Sequence, residues 1–336
     1  MFKKKLGFLL GIMVCLSVAG YVICLLAGGT KQIKKETEFL LVTSFYPMYV
    51  LAENLTQGME GITVSNLTEN QTGCLHDYQL TSGDMKLLSG ADAFLINGAG
   101  MELFMEKVIE NNQELAVIEA SHGISLLEGV EHNHAHDGEA HEEEAHEHEE
   151  HDHEEESVHS HAENGHVWMD VERYRQQAVT VKEELQQLLP EHAKELEEAA
   201  DAYDAKLQAL AQQAAGLKTD LEGVPVVIFH EAFAYLGENL GMEVLMALSL
   251  DEETVPSAGE IAEVIEEINY HGGALVLIEE EYAEYADKIL AETDALAVYL
   301  DPLTTGNGSM DSYITGMQKN LDGISSIPKD RINRIK

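Results

Sequence analysis

Sixteen histidines in a chain of 336 residues fall into two kinds. Ten are crowded into one acidic stretch, residues 128–163. They are His132, His134, His136, His141, His146, His148, His151, His153, His159 and His161, and fifteen acids are interleaved with them, without a Lys or Arg. The other kind is scattered and sits in apolar or turn-like surroundings. His76 lies in Cys74-Leu75-His76-Asp77-Tyr78. His166 lies in Asn164-Gly165-His166-Val167-Trp168-Met169-Asp170. His230 ends the apolar run Val226-Val227-Ile228-Phe229. Asp301 follows Ala297-Val298-Tyr299-Leu300 in the same way and precedes Pro302-Leu303. Each offers a lone pair to a cation.

Three imidazoles and one carboxylate suit zinc in a tetrahedral site, with Zn–N about 2.0–2.1 Å. Imidazole ligands favour Zn, Cu, Fe or Ni, whereas all-oxygen sets favour Mg, Ca or Mn. Taken singly, each histidine could equally be a satisfied core or surface residue, and Asp301-Pro302 could merely open a turn. Cys74, two residues before His76, would face the same way in an extended stretch and is a candidate fourth ligand. His122, His192 and His271 have no ligand context and read as surface residues.

The elements that must position these groups are legible in the hydrophobic pattern. Phe39–Ser44, Gly61–Ser65, Ala93–Asn97 and Ala116–Glu119 read as strands, with helical stretches at Tyr46–Gln57, Met85–Leu88 and Glu102–Asn111 between them. After the acidic stretch a helix begins at Val171, with Asp170 as its N-cap, and Pro190 breaks it. Glu191–Leu217 is one long helical pattern, about 40 Å at 1.5 Å per residue. Beyond it, strands at Val224–Phe229, Val244–Leu248, Ala274–Ile278 and Leu296–Leu300 alternate with helices at Ala232–Leu240, Ala258–Tyr270 and Tyr282–Glu292. Such alternation predicts βαβ units and parallel sheets. The fold class is therefore α/β: two α/β lobes with parallel sheets joined by a long helix, residues 191–217. The first lobe spans 37–190 and carries 128–163 as a disordered insertion, since that stretch has almost nothing apolar to bury. The second spans 218–336. His230 and Asp301 sit at the carboxyl ends of strands, where open α/β sheets bind ligands. Two ligands from each lobe would close a cation site in the cleft between the lobes.

Charge narrows the partners. There are 61 acids against 20 Lys and Arg, a net charge of −41, which excludes nucleic-acid binding through a phosphate-tracking patch. Taking away the fifteen acids of residues 128–163 leaves 46 against 20, so the folded body is acidic on its own. Three cysteines are too few for a disulfide framework or a Cys-rich zinc finger. Residues 1–36 open with three lysines and continue into an uncharged run, Leu6 to Gly29. This reads as a signal peptide or membrane anchor. The lysines favour a cytoplasmic N-terminus, which places the body outside the membrane.

Taken in order, these motifs resemble the solute-binding proteins of bacterial zinc and manganese ABC importers. The resemblance runs from Phe39 to the C-terminus. It rests on the His76 motif, His166-Val167-Trp168-Met169-Asp170, His230-Glu231-Ala232-Phe233, Val255-Pro256-Ser257-Ala258 and Leu300-Asp301-Pro302-Leu303. It implies that His76, His166, His230 and Asp301 are the metal ligands between two lobes held by a rigid helix. A histidine at the third position and a His-rich acidic insertion before the second ligand are similar to the zinc branch. His159 and His161 are alternatives to His166, but Trp168 and the helix start favour His166. The implied role is an extracytoplasmic, monomeric Zn²⁺ receptor, not an enzyme, that serves an ABC permease in the membrane. A manganese or other divalent-metal receptor, a zinc hydrolase and an extracellular metal buffer are the alternatives. Against the hydrolase, the chain has no HExxH helix, and a catalytic zinc must keep a labile water.

The ten histidines of the insertion read as accessory, low-affinity zinc sites that gather metal near the cleft through tethering. Deleting Glu128–Glu163 should lower zinc stoichiometry while leaving one tight site, as measured by metal titration. The share lost should fade below about pH 6.5, where imidazole protonates. Unchanged stoichiometry removes the accessory sites.

Overall fold

The computed structural model describes residues 38–68, 75, 78–112, 114–129, 163–248 and 256–336. The apolar N-terminal run, Cys74, His76 and the ten histidines of residues 128–163 lie outside the described residues. Phe39–Lys336 forms one compact unit. Among the described residues, no helix is long and apolar enough to cross a membrane.

Two four-stranded sheets, all parallel, make two lobes. In the first, β1 (Phe39–Thr43), β2 (Ile62–Asn66), β3 (Ala93–Ile96) and β4 (Ala116–Glu119) are ordered β2-β1-β3-β4. Helices α1 (Tyr46–Leu55), α2 (Ser82–Leu88) and α3 (Glu106–Asn111) connect them. In the second lobe, β5 (Pro225–Ile228), β6 (Glu243–Ala247), β7 (Leu275–Ile278) and β8 (Leu296–Tyr299) repeat that order as β6-β5-β7-β8. Between the lobes run α4 (Val171–Leu188) and α5 (Ala193–Leu221); α6 (Ala232–Asn239), α7 (Ala258–His271) and α8 (Ala283–Glu292) cross over in the second lobe. The expected fold class is what the chain adopts. Pro190 does end α4, and a single 3-10 turn, Pro190–His192, carries the chain into α5.

Each strand feeds two cores because successive side chains point to opposite faces. Val226 and Ile228 of β5 and Leu275 and Leu277 of β7 join the large central core. Val227, Val276 and Ile278 join a second core beneath α7 and α8. In the first lobe Leu41, Ala93 and Leu95 face the central core, while Val42 and Phe94 face a smaller one with Leu88 and Met105. The central core is continuous from one lobe to the other through α5, whose Leu196, Tyr203, Leu207, Leu210 and Ala214 are buried in it.

The C-terminal stretch after Leu300, to which the hydrophobic pattern assigned no element, forms α9 (Ser312–Ser325) and α10 (Lys329–Ile335). Tyr313, Met317, Leu321 and Ile324 of α9 are all buried in the central core, at helical spacing. Gln318 donates to Gln213 of α5 at 2.7 Å, which pins α9 to the long helix.

A buried carboxylate ties the strand ends of the first lobe together. Oε1 of Glu102 accepts from Ser44 Oγ at 2.7 Å, just past β1, and from the Asn97 amide at 2.8 Å, just past β3. Oε2 accepts from the Gly98 amide at 3.0 Å. Burial pushes this carboxyl up to about 7; the three hydrogen bonds oppose the shift and nearby Glu119 adds to it. An acid with a raised folded pKa holds more protons folded than unfolded. Stability is therefore lost as pH rises from the ordinary carboxylate range to about 7, and the cost, on the order of 3 kcal/mol, is complete above that. Glu102→Gln ionises in neither state. Urea melts of the two chains at about pH 5 and about pH 8 should show the wild type losing ground relative to the variant as pH rises. Parallel profiles would deny Glu102 this part.

Candidate metal centre

In each sheet the chain lays its second strand on one side of the first and its third strand on the other. The carboxyl ends of the first and third strands therefore flank a switch point, where open α/β sheets bind ligands. In the second lobe these strands are β5 and β7. His230 follows β5 by one residue, and Glu279 follows β7 directly. Adjacent strand ends bring the two side chains together, with His230 Nδ1 2.7 Å from Glu279 Oε1. A carboxylate can only accept, so Nδ1 carries a proton, and in the neutral ring the lone pair lies on Nε2. A metal-binding histidine is commonly oriented by such a carboxylate.

His166 comes from the turn before α4. Asn164 Oδ1 lies 2.9 Å from the His166 amide and 2.9 Å from His166 Nδ1. Gly165 is pressed against the Gly98–Met101 turn; a Cβ there would sit 2.9 Å from the Met101 Cε and 3.0 Å from the Ala99 carbonyl oxygen, so a side chain would make that turn give way. Asn97 Nδ2 donates to the Gly165 carbonyl at 2.9 Å and fixes the turn from the first lobe. The His166 and His230 rings meet edge to face, 5.0 Å between centroids, and both residues are buried.

Segment Asn164–Asp170 also grips the second lobe. Trp168 Nε1 donates to the Pro302 carbonyl at 2.8 Å, and Tyr313 of α9 donates to the Trp168 carbonyl at 2.7 Å. Asn239 of α6 donates to Asp170 Oδ1 at 2.8 Å, and Arg173 bridges Asp170 and Glu238, both at 2.6 Å. Asp170 meanwhile caps α4, accepting from the Glu172 and Arg173 amides. Burial pushes the Asp170 carboxyl above its usual range even though Arg173 and the capping amides pull it down.

Asp301 is held by its backbone. Asn320 of α9 accepts from the Asp301 amide at 2.9 Å and donates to its carbonyl at 2.7 Å. The Asp301 carboxylate accepts from the Leu303 amide at 2.8 Å and is exposed. It lines a cleft of about 450 Å³ together with Glu279, Glu280, Glu281, Thr304 and Thr305.

The structure thus brings His166 and His230 together, and it places Asp301 on the rim of the cleft that Glu279 also lines. His76 lies outside the described residues. Among the described residues, no group of three or more His, Cys, Asp or Glu side chains converges closely enough to hold a metal ion. His122 is exposed, while His192 and His271 lie near carboxylates of the α5 and α7 regions. Sequence reasoning missed Glu279 and Asn164. Glu279 carries the signal that picked out His230 and Asp301, a polar residue directly after an apolar strand. Asn164 carries no such signal, because a turn asparagine two residues before a histidine has many other uses.

Known proteins bear on this arrangement. Zinc-binding protein AdcA of Streptococcus pyogenes serotype M3 is 27% identical over 87% of this chain and 56% of its own length. The chain therefore spans little more than half the length of such relatives. High-affinity zinc uptake system protein ZnuA of Brucella abortus is 31% identical over 78% of this chain and 83% of its own length. Among solved structures, Zn(II)-bound AdcA from Streptococcus pneumoniae shares the fold with a TM-score of 0.67 at 23% identity, covering 85% of this chain and 57% of that one. The family described as "ZnuA: Zinc-uptake complex component A periplasmic" matches residues 41–327, and the chain belongs to it.

Proposed function

We propose that this chain is an extracytoplasmic zinc receptor that delivers Zn²⁺ to an ABC import permease. The observation that carries this reading is the buried His166–His230 pair, brought together at 5.0 Å between ring centroids. Each ring has its Nδ1 against an oxygen acceptor. Two such imidazoles are a borderline-soft core that favours zinc over manganese, which prefers oxygen ligands. The names of the relatives, zinc-binding protein and zinc uptake system protein, support the same metal.

In this reading His76 and Asp301 complete the set as third imidazole and carboxylate. Four protein ligands close a tetrahedral zinc site, whereas catalysis needs an open position for water. A receptor, rather than a hydrolase, follows from that ligand count. Residues 1–36 serve as signal or anchor, 37–190 and 218–336 as the lobes, and the monomer docks to the permease. The continuous core through α5 resists wide hinge opening between the lobes. The acidic body draws the cation toward the cleft.

Competition titration of single variants checks the ligand set. His166→Ala and His230→Ala should each weaken tight zinc binding by more than the roughly 10–100-fold that losing an outer partner costs. Circular dichroism should stay unchanged. Cells lacking the chain should fail to grow in zinc-depleted medium and recover with added zinc. Wild-type affinity in either variant removes that histidine from the site, and normal growth on depleted medium removes the import role.

A further inference from the structure

Asn164 is buried to 1% exposure and every polar group it owns is engaged. Its amide donates to the Leu127 carbonyl at 2.8 Å, and its carbonyl accepts from Tyr235 Oη at 2.7 Å. Its side chain reaches two ways. Oδ1 faces the His166 amide and the His166 ring nitrogen Nδ1, and Nδ2 faces the Glu231 carbonyl of the second lobe at 2.9 Å.

The orientation of a side-chain amide is ordinarily ambiguous, because its oxygen and nitrogen look alike. Here both neighbours are backbone groups of fixed polarity. The His166 amide can only donate, so it requires Oδ1. The Glu231 carbonyl can only accept, so it requires Nδ2. Flipping the amide would set N–H against N–H on one side and oxygen against oxygen on the other, inside a buried site where unmet polar groups are costly. With Oδ1 so fixed, the ring nitrogen beside it must be the donor. His166 is then held with its proton on Nδ1 and its lone pair on Nε2.

We infer that Asn164 is a positioning residue that selects the Nδ1–H tautomer of His166, with the carbonyl of Glu231 in the opposite lobe setting the amide that does so. The consequence for the metal rests on the receptor reading above: Nε2 of His166 is presented already oriented, as Glu279 presents Nε2 of His230. The two rings reach the same tautomer by different means. A carboxylate holds one, and a neutral amide bridging the lobes holds the other. Because the bridge crosses between lobes, His166 is correctly set only while the lobes are in register.

The readout is the ring nitrogen itself, so the metal-free full chain decides the matter. In ¹⁵N spectra, with the His166 signals assigned by their loss in His166→Gln, the neutral ring should carry its proton on Nδ1. In Asn164→Ala the ring should move toward the Nε2–H form, which free imidazole side chains favour. Asn164→Asp, which keeps an oxygen against Nδ1, should restore the wild-type tautomer. Zinc affinity by competition titration should fall roughly 10–100-fold in Asn164→Ala. It should change far less in Tyr235→Phe, which loosens the same segment without touching Oδ1. A wild-type ring protonated on Nε2 overturns the inference with no variant needed, and so does an Asn164→Ala chain that keeps the Nδ1–H form. If the wild type binds no zinc, the receptor reading falls alone, and the tautomer still decides this inference.

Discussion

His166 and His230 come from different lobes, and their rings meet only while the lobes stay in register. That register is held by segment Asn164–Asp170, which is bonded to both sides at once. Asn97 holds Gly165 from the first lobe. Pro302, Tyr313, Glu231 and Asn239 hold it from the second. Tertiary hydrogen bonds of this kind are individually modest, about 0.5–1.5 kcal/mol net. Their geometric effect is larger than their energy, because they remove the freedom of one lobe to slide on the other where the imidazoles meet.

Beneath that segment the hydrophobic core works toward the same end. Parallel strands are buried on both faces, so each sheet needs cover above and below. The outer faces have their own helices, but the inner faces share one core with α5 passing through it. A shared core cannot be opened widely without exposing apolar surface, at roughly 25 cal/mol per Å². The architecture thus resists wide opening between the two sheets.

Much of this was legible in the sequence, and the reasons are physical. Short apolar runs bounded by polar turns located the strands to within a residue or two, because strands buried on both faces must be continuously apolar. The same logic placed His230 and Asp301 at strand ends. α9 went unassigned because its buried residues are separated by polar ones over a stretch that begins in a Gly-rich loop. Yet it supplies Asn320, which clamps the backbone of Asp301. Asn164 and Glu279 were missed for another reason: their part depends on which strand lies beside which, and on what faces them from the other lobe. Local pattern gives elements and periodicity; it does not give neighbours.

One consequence of the inter-lobe contacts is optical. Trp168 is the single tryptophan of the chain. It is fully buried, its indole N–H donates to a carbonyl of the opposite lobe, and its ring lies 5.2 Å from that of His166. Indole emission is sensitive to polarity and to hydrogen bonding at nitrogen. The tryptophan emission of this protein therefore reports on the seam where the turn bearing His166 meets the loop bearing Asp301. The molecule carries a native gauge of that contact, readable without a label.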